Sequence, residues 1–155
     1  MTRMLSAWFG RRFVVATVRG LSMVPTFRHG DRVLARRRGA ISVGDVVVVE
    51  PPAAGGSKLL IKRVFAVPGD PVPGELFPAL MDVAERVVPP GRLVLLGDNE
   101  PLSDDSRRLG YFEVDRVLGV VLRKLPGRAD LPPLLAVHPR AGTRFGQGGS
   151  ATVSD

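Results

Sequence analysis

Short apolar runs broken by Gly, Pro and Asp set the rhythm of the chain. "FVVATV" (13–18), "RVLAR" (32–36), "DVVVVE" (45–50), "KLLIKRVFAV" (58–67), "RLVLLG" (92–97) and "RVLGVVLRKL" (116–125) are rich in β-branched residues and end at turn formers. Fourteen prolines and eighteen glycines interrupt the pattern at intervals too short for long helices. One stretch, "ELFPALMDVAERV" (75–87), has a helical pattern, with Pro78 in its first turn. The pattern predicts a mainly β domain of short strands with little helix.

The chain divides into three parts. Residues 1–17 form an N-terminal segment, 18–125 the body, and 126–155 a tail rich in Pro, Gly and small polar residues. The last dozen residues carry too little apolar surface to offset their ordering entropy, so 141–155 are expected to be disordered. The best candidate for a membrane span, "AWFGRRFVVATV", is split by Arg11 and Arg12. It falls short of the roughly 18 apolar residues that a spanning helix requires. A signal-peptide layout is also missing. The expectation is therefore no transmembrane helix, which favours a cytoplasmic location. Association with a membrane surface through Trp8, Phe9 and the two arginines stays open.

Composition changes this picture in three ways. The 155 residues include no cysteine, which excludes a disulfide scaffold, a thiol nucleophile and cysteine-ligated zinc. Two histidines, His29 and His138, are too few for a histidine-rich metal site, so no metal or other cofactor is expected. The formal charge of +7 could serve nucleic acid or an anionic surface. With one Trp and one Tyr, however, the chain supplies few base-stacking platforms, and nucleic acid is not the expected partner. Lysine occurs only at positions 58, 62 and 124, and arginine provides every other positive side chain. That bias matters because a buried lysine can become a neutral base, whereas arginine keeps its proton.

Three segments carry candidate chemistry. The first, "GLSMVPTFRHGD" (20–31), ends an apolar strand by presenting Ser22. A serine hydroxyl needs an adjacent base before it can attack. His29, seven residues on, and His138, near the C-terminus, are poorly placed for a Ser-His-Asp triad. A serine–lysine pair is the alternative, and it needs a lysine desolvated in an apolar wall.

The second segment, "LLIKRVFAVPGD" (59–70), offers such a wall. Strand alternation places Leu60, Lys62 and Val64 on one face, and Leu59, Ile61, Arg63 and Phe65 on the other. Taken alone, this strand is equally compatible with an edge lysine that discourages aggregation. The third, "LLGDNEPLSDDSRRLG" (95–110), breaks the tie. There Ser103 can accept a hydrogen bond from Lys62 and hold it towards Ser22, while Asp105 and Arg107 can form an ion pair that fixes the loop.

In order and content these segments resemble the boxes of the type I signal peptidase family of serine–lysine proteases. The first box is Gly20 to Thr26 with Gly30 and Asp31, and the second is Lys62 to Val64 with Pro68 to Asp70. The third is Gly97 to Asn99 with Ser103 to Gly110. The resemblance spans residues 18 to about 122 and implies a compact antiparallel β domain. It implies Ser22 as nucleophile and Lys62 as general base, with Ser103 orienting the lysine and Asp105–Arg107 as the supporting pair. The oxyanion would be held by the Ser22 amide and a group at Gly20. Many members carry a hydroxyl at the position of Gly20, and this chain does not. Substrate would bind as an added extended strand, with Met23 and Pro25 beside it.

The family comparison also shapes the functional expectation. Members typically have one or two membrane-spanning helices before the serine box. A short chain without them resembles the maturation proteases that trim nickel-type superoxide dismutase. The expected activity is endopeptidic removal of an N-terminal signal or propeptide from a precursor protein. General signal peptidase action at a membrane surface is the first alternative. An inactive β module that binds peptides or anionic surfaces is the second.

Overall fold

The computed structural model describes residues 8–9, 11–52, 59–72, 74–80 and 87–127. The tail, all but its first two residues, and residues 81–86 of the 75–87 stretch lie outside these residues.

Eight strands form one antiparallel sheet in the order β1-β2-β3-β8-β4-β5-β6-β7. They are β1 (Trp8–Phe9), β2 (Phe13–Thr17), β3 (Arg32–Arg36), β4 (Val46–Val49), β5 (Leu60–Ala66), β6 (Arg92–Leu96), β7 (Phe112–Glu113) and β8 (Val117–Leu125). The six apolar runs supply β2, β3, β4, β5, β6 and β8. The two-residue strands β1 and β7 carry too few positions to be legible as alternation. Strand β2 belongs to residues 1–17, so this part of the N-terminal segment is built into the sheet through its pairing with β3.

Alternation sorts the side chains onto two apolar clusters. Val46, Val48 and Ile61 join Val14, Ala16, Val33 and Ala35, and two residues of the 20–31 segment, Met23 and Phe27, pack with them. Val47, Val49 and Val64 join Leu93, Leu95, Phe112 and Val120. All four residues of β4 are therefore buried, which explains why "VVVV" reads as a continuous apolar run. A third cluster sets Phe77, Leu80 and Val88 against Ala66 and Val94.

Helix is scarce. Residues 74–80 form two 3₁₀ turns, Gly74–Leu76 and Pro78–Leu80, instead of the opening of one continuous helix. Pro78 lacks an amide hydrogen and its ring disfavours a helical residue before it, so it starts a new turn. Among the described residues the single α-helical turn, α1 (Ser106–Leu109), lies in the third chemical segment. Among the described residues no helix is long and apolar enough to cross a membrane.

Candidate active site

Strand β5 fixes Lys62. Its cross-strand partner on β4 is Val47, which is fully buried, and its neighbours on the same face are Leu60 and Val64. Lys62 is 2% exposed, and its Nζ donates to Ser103 Oγ at 3.1 Å. Desolvation pushes the lysine below its ordinary value, with Arg107 acting in the same direction, while the charges of Asp105 and Asp104 pull the other way. This is the environment that a neutral lysine base requires.

The loop after β6 holds the other end of that hydrogen bond. Ser103 also bonds the Asp105 carboxylate, so one hydroxyl links ammonium to carboxylate. Asp105 is fully buried and caps α1 by accepting from the Arg107 amide at 3.1 Å. It further accepts from the Gly97 amide at 2.9 Å and from Arg107 Nε and Nη2 at 3.0 and 2.6 Å. Burial alone would raise this carboxyl, but the bonds from Arg107, Gly97 and Ser103 outweigh it and hold the group below the usual carboxylate range. Arg107 is shared with Glu100 at 2.8 Å. The anticipated Asp105–Arg107 pair is thus the hub of the loop rather than a solvated surface pair.

Ser22 is brought to this loop by its backbone. The Ser22 carbonyl accepts from the Asn99 amide at 2.9 Å, and Asn99 Nδ2 donates to the Leu21 carbonyl at 3.0 Å. Gly97 lies between the two serines. A Cβ there would come within 2.7 Å of the Ser22 carbonyl oxygen and closer still to the Ser103 side chain. Only glycine lets these segments approach this closely. The Ser22 side also borders a small cleft lined by Val18, Met23 and residues Leu59 to Ile61.

The remaining predicted residues occupy distinct places. Met23 is 1% exposed and belongs to the first apolar cluster while touching the cleft. Pro25 is exposed and follows a cis Val24–Pro25 bond. Gly20 has φ of +85°, a conformation suited to glycine, and its amide donates to His29 Nδ1 at 3.1 Å.

Sequence reasoning missed a second lock between the three segments. Arg63 turns away from Lys62, as alternation predicts, and meets Asp98 in a two-pronged pair at 2.8 Å through Nε and Nη2. Thr26 Oγ1 donates to the same carboxylate at 2.5 Å, and Arg63 Nη1 donates to the Gly44 carbonyl. Hydrogen bonding from Arg63 comes first among the causes that hold the Asp98 carboxyl low. The available signal was an arginine next to the candidate base, obliged by strand alternation to find a partner on the opposite face.

The family model described as signal peptidase, peptidase S26, matches residues 1–77 and 74–124. Signal peptidase IB of Staphylococcus aureus (strain Mu50) is 28% identical over 150 residues, covering 71% of this chain and 77% of that protein. The mitochondrial ATP-independent inner membrane protease subunit 1a of Arabidopsis thaliana is 34% identical over 122 residues, covering 74% and 72%. A crystal structure of a signal peptidase I from Enterococcus faecalis V583 aligns at 22% identity over 54% of this chain and 98% of that one, with a TM-score of 0.41. The extent of the family match and the relatedness to the Arabidopsis subunit establish that the chain belongs to the signal peptidase family of proteases, peptidase S26.

Proposed function

We propose that the chain is a serine endopeptidase in which Ser22 attacks and Lys62 is the general base, removing an N-terminal segment from a precursor protein. The observation that carries this reading is the buried Lys62, desolvated by Leu60, Val47 and Val64 and bonded to Ser103 at 3.1 Å. Neutral Lys62 takes the Ser22 hydroxyl proton as Oγ bonds to the scissile carbonyl carbon. The tetrahedral intermediate then expels the amine, which receives that proton from the lysine. Water, deprotonated in turn by Lys62, hydrolyses the acyl ester and releases Ser22.

The Ser22 amide is the natural donor to the developing oxyanion. Gly20 brings no hydroxyl, and its amide is engaged by His29, so its contribution is to shape the turn that aims the Ser22 amide. An extended substrate running beside Leu59 to Ile61 would set its scissile bond at the cleft bordered by Ser22. The names of the bacterial relatives favour general signal-peptide removal over the narrower nickel superoxide dismutase propeptide.

The test compares protein N-termini in cells carrying the wild-type chain, Ser22→Ala or Lys62→Arg. Arginine keeps the charge but cannot serve as the base. Both variants are expected to leave exported precursors uncut. Retention of a short extension on one protein alone would identify a dedicated maturation protease, and full processing by Lys62→Arg would overturn the base assignment.

A further inference from the structure

Ser22 is held unevenly by the loop that carries it. Its carbonyl side is fixed twice from the facing loop, by the Asn99 amide on the Ser22 carbonyl and by Asn99 Nδ2 on the Leu21 carbonyl. The residues that follow are anchored by the buried side chains of Met23 and Phe27, and the Phe27 amide donates to the Met23 carbonyl at 2.8 Å. The amide side lacks such support. Arg19, Gly20 and Leu21 are exposed, and apart from chain neighbours nothing lies within 4 Å of the place where a Gly20 Cβ would stand. Gly20 also sits at φ of +85°, and a glycine leaves that region for negative φ about as readily as it enters it.

One side chain reaches across to this stretch. His29 Nδ1 accepts from the Gly20 amide at 3.1 Å. To accept there, the imidazole carries its proton on Nε2, so Nδ1 serves the backbone and not the Ser22 hydroxyl. His29 is exposed, yet its own backbone is fixed on both sides. The Arg28 amide before it donates to Asp31 Oδ2 at 2.9 Å, and the Gly30 amide after it donates to the Val18 carbonyl at 2.9 Å. Asp31 is held in turn by Lys124 of β8 at 2.8 Å, and its carbonyl accepts from the Val18 amide at 2.7 Å. The imidazole is therefore mounted on the closed neck of the loop and braces the chain nine positions before it.

We propose that His29 is a positioning residue, which holds the Gly20 amide and thereby fixes the turn that aims the Ser22 amide at the developing oxyanion. This inference rests on the reading of Ser22 as nucleophile. The backbone angles of Gly20 set the course of Leu21 and so the direction of the Ser22 N–H. An oxyanion donor is effective only when it stands about 2.7–3.1 Å from the oxygen it stabilises. Without the bond, Gly20 samples other conformations and that aim is lost for part of the time. The cleft beside Ser22 is walled mainly by Met23 and Leu59 to Ile61, which the bond does not touch. The effect therefore falls on kcat more than on KM.

The experiment compares the wild type with His29→Phe, His29→Asn and Ser22→Ala on a quenched fluorescent peptide spanning a cut site mapped in wild-type cells. Phenylalanine keeps a ring and loses the acceptor. Asparagine loses the ring but carries Oδ1 on Cγ, where Nδ1 stood, and so can accept from the Gly20 amide. Thermal melts check that each variant folds, and His29→Ala, which also lacks the acceptor, serves if His29→Phe does not.

His29→Phe is expected to lose about tenfold in kcat, with KM within about twofold of the wild type. His29→Asn should recover most of that loss. Wild-type kcat in His29→Phe, with Ser22→Ala inactive, would overturn the inference and leave the nucleophile assignment standing. Equal losses in the two His29 variants would assign the effect to the ring itself and overturn the inference as well. A loss confined to KM would place His29 at the substrate and exclude the positioning role. Cutting by Ser22→Ala would overturn the nucleophile assignment and this inference with it.

Discussion

Replacing Lys62 by methionine separates the two things this residue does. A buried ammonium costs stability, and an apolar side chain of similar length removes that cost, while Asp105 keeps its pair with Arg107. Lys62→Met is expected to abolish turnover yet melt at the same temperature as the wild type or above it, as calorimetry would record. Because the folded lysine releases its proton at lower pH than an ordinary one, the unfolded chain holds more protons between the two values. Lys62 thus makes stability rise with pH across that window. The rate should follow the same proton. The rising limb of kcat/KM against pH is expected below the ordinary lysine value of about 10.4. Asp104→Asn removes a charge that raises the lysine, so it should move the limb to lower pH. A limb unmoved by Asp104→Asn and lying at the ordinary lysine value would argue against Lys62 as the titrating group. At Gly97 an added methyl meets both the Ser22 carbonyl and Ser103. Gly97→Ala should lose at least tenfold in kcat, with a stability loss on the order of 1–3 kcal/mol in denaturant titration.

At the scale of an element, the loop from Gly97 to Gly110 behaves as one unit hung on Asp105. That carboxylate caps α1, holds the Gly97 amide and neutralises Arg107. Asp105→Ala leaves the Gly97 and Arg107 amides without their acceptor in a buried setting and reduces the Arg107 guanidinium to its pair with Glu100. The expected cost is about 3–5 kcal/mol by denaturant titration, together with loss of activity. Since the folded Asp105 carboxyl sits below its unfolded value, its stabilisation is complete above the unfolded value of about 3.9. It fades as pH falls through the folded value. An acid titration of Asp105→Asn should therefore lose the part of the wild-type acid transition that this group supplies. The pair was foreseeable from Asp105 and Arg107 standing two apart. Its burial was not, because that follows from packing of the loop against β6, where Ser106 Oγ accepts from the Leu95 amide.

For the whole molecule, the determining connection is β8. It pairs with β3 on one side and β4 on the other, so the last described strand joins the two parts of the sheet. Neither part closes before residues 117–125 arrive, a non-local arrangement that also slows folding. A chain ending at Arg116 is expected to show no cooperative thermal transition. A sharp melt of that fragment would mean that one part of the sheet is stable alone.

The sequence by itself determined the strands and nominated the candidate chemical groups. Period-two alternation and β-branched content are local properties, and they located six of the eight strands and put Lys62 and Arg63 on opposite faces. Motif content named Ser22, Lys62, Ser103, Asp105 and Arg107. What only the tertiary structure decided was contact between segments distant in sequence. Ser103 reaches Lys62 across 41 positions and Asn99 reaches Leu21 across 78. Thr26, Arg63 and Asp98 likewise form a lock that no single segment encodes. The physical reason is that desolvation and hydrogen-bond partnership belong to a place in space. Lys62 becomes a candidate base only after β4, β5 and the Ser103 loop close around it.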